Sequence, residues 1–241
     1  MDKIDGNQVL YETLTSQKVD LLEFIIQASF FIEMKSVEKD KTNMISDAEK
    51  GEKLYIRYKT KIREIEKLND KKSIGKKSLA LKYQKEHCLN YVFNKNKFPI
   101  LFDSDGNYEL RKKIQKYTGF LVSGGNKQSD YINYKISHIW DNTSHPFYFS
   151  SLWNIIIVPK CLDHFIDDKN ITIDHDSFPN QKLNTKMFFK ALVTVLYNLE
   201  KYKEKYSCYF NDDKIDKEYI TFAKLYKDKI NYLTPKNGYQ L

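Results

Sequence analysis

Tyr134-Lys135-Ile136-Ser137-His138-Ile139-Trp140-Asp141-Asn142 and, a little later, Asn154-Ile155-Ile156-Ile157-Val158-Pro159-Lys160-Cys161-Leu162-Asp163-His164-Phe165-Ile166-Asp167-Asp168 decide how this chain is read. Four of its five histidines, His138, His145, His164 and His175, and both tryptophans, Trp140 and Trp153, lie between Tyr134 and Asp176. Ile132 to Ile136 alternates apolar and polar residues, which favours a strand with His138 at its end. Asp141-Asn142 and Pro146 signal a loop. Ile155 to Val158 is a β-branched run too short for an independent helix and reads as a buried strand. Pro159 suits the first turn of a helix, expected over Lys160 to Asp168. On such a helix Asp163 and Asp167 share a face, at i and i+4.

The resulting order is strand, His, loop, Asn, strand, short helix with Asp and His. It resembles the HNH family of ββα-metal nucleases. The matching pieces are Ser137-His138-Ile139, Asn154 to Val158 and Leu162 to Asp167, followed by Asn170-Ile171-Thr172-Ile173-Asp174, which looks like the strand after the helix in one HNH subgroup. The resemblance spans about residues 131 to 176. It implies that His138 is the general base and that Asn154 holds the loop. It also implies that the helix ligates a divalent metal, Mg²⁺ first, with Mn²⁺ or Zn²⁺ as alternatives. Alignment on Asn154 gives Asp163 as that ligand, residue type gives His164, and Asp167 is an assisting candidate. Ser137 stands where many members carry a metal-binding acid. The chemistry is coherent: imidazole takes a proton from water near neutral pH, and a cation relieves charge on the phosphate.

The chain has 241 residues, enough for one good core or two small ones. Its net charge of +8 and pI of about 9.0 suit a polyanionic partner, although 32 acidic residues dilute the 40 basic ones. Cys88, Cys161 and Cys208 are widely spaced and form no C-x-x-C pair, which argues against a cysteine-rich zinc site. That odd count, and an opening Met1-Asp2-Lys3-Ile4-Asp5 without an apolar signal core, point to a reducing, cytoplasmic setting. Leu21 to Met34 is too short and too polar to span a membrane.

Elsewhere the apolar spacing predicts helices over Ser16–Val37, Ser46–Leu68, Ser78–Phe93, Tyr108–Tyr117, from Asn184 or Thr185 through Leu199, and over Ile215–Leu233. A polar break is expected at Asp40 to Asn43, an extended segment at Phe98 to Phe102, and a turn at Asp103 to Asn107 that lacks the closing Glu of a calcium loop. Lys71 to Lys77 is a basic cluster. His87-Cys88 reads as core or surface. Gly124-Gly125-Asn126-Lys127 lacks the ending of a phosphate-binding loop. Arg111, Lys112 and Lys116, just upstream of His138, are candidate phosphate contacts, as is His145. His175, between Asp174 and Asp176, reads as surface.

The expected class is α+β, mostly helical, with a small embedded ββα-metal core. The expected regions are a helical 1–106, a nuclease-like 107–178 and a helical 179–241 packed on the core. The resemblance implies a metal-dependent endonuclease acting on double-stranded DNA, in restriction, phage defence or a mobile element. A homodimer would suit double-strand cutting. The rival reading is a catalytically degenerate HNH-like module that binds nucleic acid or protein, and Ser137 is its best support.

Overall fold

The computed structural model describes residues 6–57, 90–93, 95–103, 107–122, 129–178, 182–205 and 215–236. The basic cluster at Lys71 to Lys77, His87-Cys88 and the Gly124-Gly125 loop lie outside them, as does most of the helices expected up to Leu68 and from Ser78. Helices and strands are mixed, so the fold class is α+β. The chain divides into two compact units. The first comprises Met1–Glu33, Val122–Ile139 and Ile155–Thr234; the second comprises Met34–Leu121, Trp140–Asn154 and Pro235–Leu241. Residues 107–178 contribute to both.

In the first unit, α1 (Gly6–Ser16) stops before Lys18, which takes a left-handed φ of 56°. Asp20 caps α2 (Leu21–Ala28) by accepting from the Glu23 N–H at 3.0 Å. Leu21, Leu22, Ile25 and Ile26 form its buried face. The single helix expected over Ser16–Val37 is therefore corrected. Its apolar period is real, but Phe30–Ile32 leaves the helix as β1. Aromatic and β-branched residues suit a strand, and tertiary pairing overrides the helical period.

β1 joins a four-stranded sheet of order β5-β6-β1-β9, formed with β5 (Tyr134–His138), β6 (Ile155–Pro159) and β9 (Asn231–Leu233). β5 and β6 are antiparallel with Tyr134 opposite Pro159 and His138 opposite Ile155. β9 runs parallel to β1, with Phe30 opposite Asn231. The long last helix is thus also corrected: Lys217–Ala223 is helical, and the chain then turns into β9. Ile155, Ile156, Ile157 and Val158 are buried together with Phe31, as a strand covered on both faces requires. Each such side chain contributes about 1.5–3 kcal/mol through burial. A short helix, His164–Asp167, follows β6 where two turns were expected. After it, β7 (Thr172–Asp174) pairs with β8 (Lys182–Asn184), so the expected short strand is present. Asn184 then caps the helix Thr185–Leu196 through the Met187 N–H.

In the second unit, α3 (Met34–Glu49) runs straight through the expected break at Asp40–Asn43. Asp40 is 1% exposed and has partners that make its burial tolerable, described below. A smaller sheet has the order β2-β4-β3, with β2 (Leu54–Arg57) parallel to β4 (Asn96–Asp103) and β3 (Asn90–Phe93) antiparallel to it. Leu54–Arg57 and Asn90–Phe93 had been expected as helix. The helix Tyr108–Thr118, here α4, agrees with the sequence pattern and ends at Gly119, whose φ of 75° suits glycine.

Tyr117 gives a pH test of this unit. Its hydroxyl accepts from the Asn43 amide at 2.7 Å. Burial, aided by the Asp40 carboxylate, pushes its pKa from 10.0 to about 12. The neutral phenol is favoured in the folded state, so its contribution is complete below pH 10. It is lost as pH rises from there to about 12. Tyr117→Phe is expected to flatten that part of the alkaline fall in stability, read from urea midpoints across the window.

Candidate catalytic site

His138 ends β5 as the sequence predicts, and its register partner is Ile155. It is 5% exposed, so it is a largely buried imidazole rather than an open one. Strand pleating puts Ile136 and His138 on one face of β5, and Lys135 and Ser137 on the other. The helix His164–Asp167 packs near β5, and the Lys135 ammonium is ion-paired with Asp163 Oδ2 just before that helix. Asp163 Oδ1 is buried and has no hydrogen-bond partner among the described residues.

The helix candidates separate clearly. Asp163 is buried, at 8% exposure. His164 is half-buried, its ring 6.0 Å from that of Phe165. Asp167 is exposed, and its backbone carbonyl accepts from the Lys186 ammonium at 2.9 Å. Asp168 closes a turn by accepting from the Asn170 N–H at 2.8 Å. Among the described residues no three His, Cys, Asp or Glu side chains gather as a metal cluster. A hard divalent ion nevertheless needs only one or two protein oxygens when phosphate and water complete its shell. Of the helix candidates, Asp163 alone has a buried oxygen without a hydrogen-bond partner among the described residues.

In the second unit, Asn154 is fully buried and hydrogen-bonded at both ends of its amide. Its Oδ1 accepts from the Trp140 N–H at 2.7 Å, and its Nδ2 donates to the Trp140 carbonyl at 3.2 Å and the Tyr148 carbonyl at 2.9 Å. One side chain thus closes the loop from Trp140 to Asn154. Within it, Trp140 and Tyr148 rings pack edge-on to Trp153, with centroids 5.6 and 5.3 Å away. The tryptophans are core anchors.

Sequence reasoning missed two supports. Asp40 Oδ2 accepts from the Leu152 N–H at 2.9 Å, while the Lys113 ammonium is ion-paired with Asp40 Oδ1 at 2.9 Å and donates to the Ser150 carbonyl at 2.6 Å. Asp40 lies 112 residues from Leu152, so no local pattern signals it. Lys135 was missed for the same reason, because its partner Asp163 lies beyond the next strand. Asp40→Ala is expected to cost about 3 kcal/mol, because it strands a lysine and a buried N–H; Asp40→Asn, which keeps an acceptor, is expected to cost less. Urea unfolding of both variants checks this.

The other candidates serve structure in ways the sequence did not show. His145 caps the helix Pro146–Phe149 by accepting from the Phe147 N–H at 3.3 Å. Lys112 bonds Glu109 at 3.2 Å and lies over the Tyr108 ring, Lys116 lies over the Tyr117 ring, and Arg111 donates to the Asn107 carbonyl. His175 is not a plain surface residue: its Nε2 lies 2.8 Å from the Tyr226 hydroxyl and 3.5 Å from Asp20, and its ring packs on Phe222.

A family model described as "Uncharacterised protein PM1201" matches residues 32–235. The chain belongs to the PM1201 family. A relative in Pasteurella multocida (strain Pm70), itself described as "Uncharacterized protein PM1201", is 29% identical over 99 residues, which cover 41% of this chain and 43% of that protein. The match therefore spans less than half of that relative. No solved structure matches this member of the PM1201 family. Among the described residues, no helix is long and apolar enough to cross a membrane.

Proposed function

We propose that this protein is an HNH-type endonuclease that hydrolyses phosphodiester bonds in DNA, with β5, β6 and the helix His164–Asp167 as a ββα-metal core. The observation that carries the reading is Asn154, whose amide bonds both backbone groups of Trp140, two residues beyond His138. This is the bracing role the family resemblance assigns to that residue. The antiparallel pairing of β5 with β6, followed by a short helix, adds support.

In this mechanism the His138 imidazole takes the proton of an attacking water. Asp163 would supply a carboxylate oxygen to a divalent cation, Mg²⁺ first, with Mn²⁺ or Zn²⁺ as alternatives, and such an ion would withdraw charge from the phosphate. His164 and Asp167 remain adjoining donors. Asn154 keeps the loop beyond His138 from slackening. The exposed Lys112 and Lys116 are proposed backbone contacts for double-stranded DNA, and a homodimer would account for cutting both strands. Restriction, phage defence and mobile-element roles all suit such an enzyme.

A second reading has a specific observation behind it. The buried carboxylate of Asp163 already carries Lys135, and Ser137 is a poor ligand. This favours a degenerate HNH-like module that binds nucleic acid or protein without cutting. Supercoiled plasmid incubated with Mg²⁺ or Mn²⁺, against EDTA, separates the two. Nicking that EDTA abolishes supports the enzyme; binding to DNA without nicking across metals and plasmid sequences supports the module.

A further inference from the structure

We propose that the rings of Phe30, Tyr131 and Tyr134, with Lys160 beside them, form a surface that stacks the unpaired bases of single-stranded DNA. The proposal rests on the reading of DNA as this protein's polymer and goes beyond it, since it needs neither cleavage nor a metal.

The surface follows from the sheet. Pleating puts Tyr134, Ile136 and His138 on one face of β5. The pairing of Ile136 with Ile157, and of Ile157 with Phe30, carries that face across β6 to β1. Ile136, His138 and Ile157 are buried, whereas Phe30 and Tyr134, at the other end of the same face, are only half-buried. Tyr131, also half-buried, joins them from the turn before β5. The three rings meet at interplanar angles of 61°, 52° and 71°, with centroids 5.0, 5.8 and 5.6 Å apart. Rings tilted in this way do not cover one another's faces, and each keeps surface in contact with solvent. The turn is held in place. The Ser129 hydroxyl donates to the Tyr131 carbonyl at 3.0 Å and accepts from the Tyr131 N–H at 3.2 Å. Asn133, with a left-handed φ of 63°, accepts from the Lys160 N–H at 2.8 Å, which sets an exposed lysine against the same turn. Ile132, between the tyrosines, is 76% exposed. An aromatic patch with a cation at its edge, on a chain of net charge +8, matches a polyanion that also offers flat apolar groups. Unpaired DNA is such a polymer. In a duplex the bases stack on each other, and only the phosphates would find a partner here. Asp130, exposed beside Tyr131, is the one acid in this turn and opposes a phosphate.

Fluorescence anisotropy of a labelled oligodeoxythymidylate of about 20 nucleotides, longer than a single-strand site requires, tests this with the full chain. Tyr131→Leu and Tyr134→Leu are each expected to weaken binding about fivefold, the low end for one base on one aromatic ring. Tyr131→Phe and Tyr134→Phe keep the rings and should stay within about twofold of the native chain. Lys160→Gln should reduce the salt dependence by about one phosphate contact, and Asp130→Asn should tighten binding. Tyr232→Leu is the control: Tyr232 is 38% exposed in the same sheet, but it pairs with Phe31 and so lies on the opposite face. Thermal melts establish that each variant is folded. Leucine variants that bind like the native chain would overturn the proposal. So would an equal loss in Tyr232→Leu, an equal tyrosine effect on duplex DNA, or no binding of the oligonucleotide at all. Sedimentation of the same chains decides the other occupant: self-association that the leucine changes abolish would mean that the patch meets a second copy, and would overturn it too. Plasmid nicking is scored separately. Tyrosine-dependent binding without nicking sinks the nuclease reading alone, and nicking without a tyrosine effect sinks this proposal alone.

Discussion

Plasmid nicking by the native chain with Mg²⁺ is expected to fall at least about 100-fold in His138→Ala, toward the EDTA background. General-base catalysis contributes about 10² to 10⁴ in rate, so losing the imidazole should remove nearly all measurable cutting. His138 is only 5% exposed, so alanine also leaves a small cavity. His138→Gln keeps much of the volume without the base, and it should be equally inactive while melting close to the native chain. Cutting that persists in both variants would remove His138 from the mechanism. Cutting lost in alanine but kept in glutamine would make the histidine a packing residue.

Asn154→Ala should be among the most destabilising single changes in the protein, at about 3 kcal/mol or more. It strips a partner from one N–H and two carbonyls in a fully buried place. Each orphaned group costs about 1–3 kcal/mol. Urea unfolding followed by tryptophan fluorescence is well suited, because both tryptophans, Trp140 and Trp153, lie in the loop that Asn154 closes. Asn154→Asp keeps an acceptor for the Trp140 N–H but sets a carboxylate against two carbonyls in a fully buried place, and should cost at least as much as alanine. A loss below about 1 kcal/mol in the alanine variant would mean that the loop holds without its asparagine, and the bracing argument would fail.

What the sequence made legible was local. Alternation before His138 and the β-branched run after Asn154 are signals a strand carries in its own residues, and both strands are there. So are the helix Tyr108–Thr118, the helix after Asn184 and the short strand Thr172–Asp174. What stayed hidden depended on partners far along the chain. Phe30–Ile32 sits inside an apolar period that reads as helix, and only pairing with β6 and β9 makes it a strand. Asn231–Leu233 was absorbed into a helix for the same reason. Asp40 looked like a break because an isolated aspartate is costly to bury; its cost is offset by Lys113 and the Leu152 N–H. At the candidate site, spacing pointed to Asp163 while residue type pointed to His164. Burial and the unpartnered oxygen favour Asp163. Lys135 was overlooked because its meaning lies in a carboxylate beyond the next strand.

The parallel pairing of Phe30–Ile32 with Asn231–Leu233 also bears on how the protein is made. The earlier strand leaves the ribosome about 200 residues before its neighbour, which at ~5–20 residues per second is a wait of roughly 10–40 s. Throughout that interval one edge of the nascent sheet has its amides and carbonyls unmatched. A chain stalled before Asn231 therefore leaves β1 uncovered on the side that β9 takes in the finished sheet, and it is in that window that a chaperone would have most to hold.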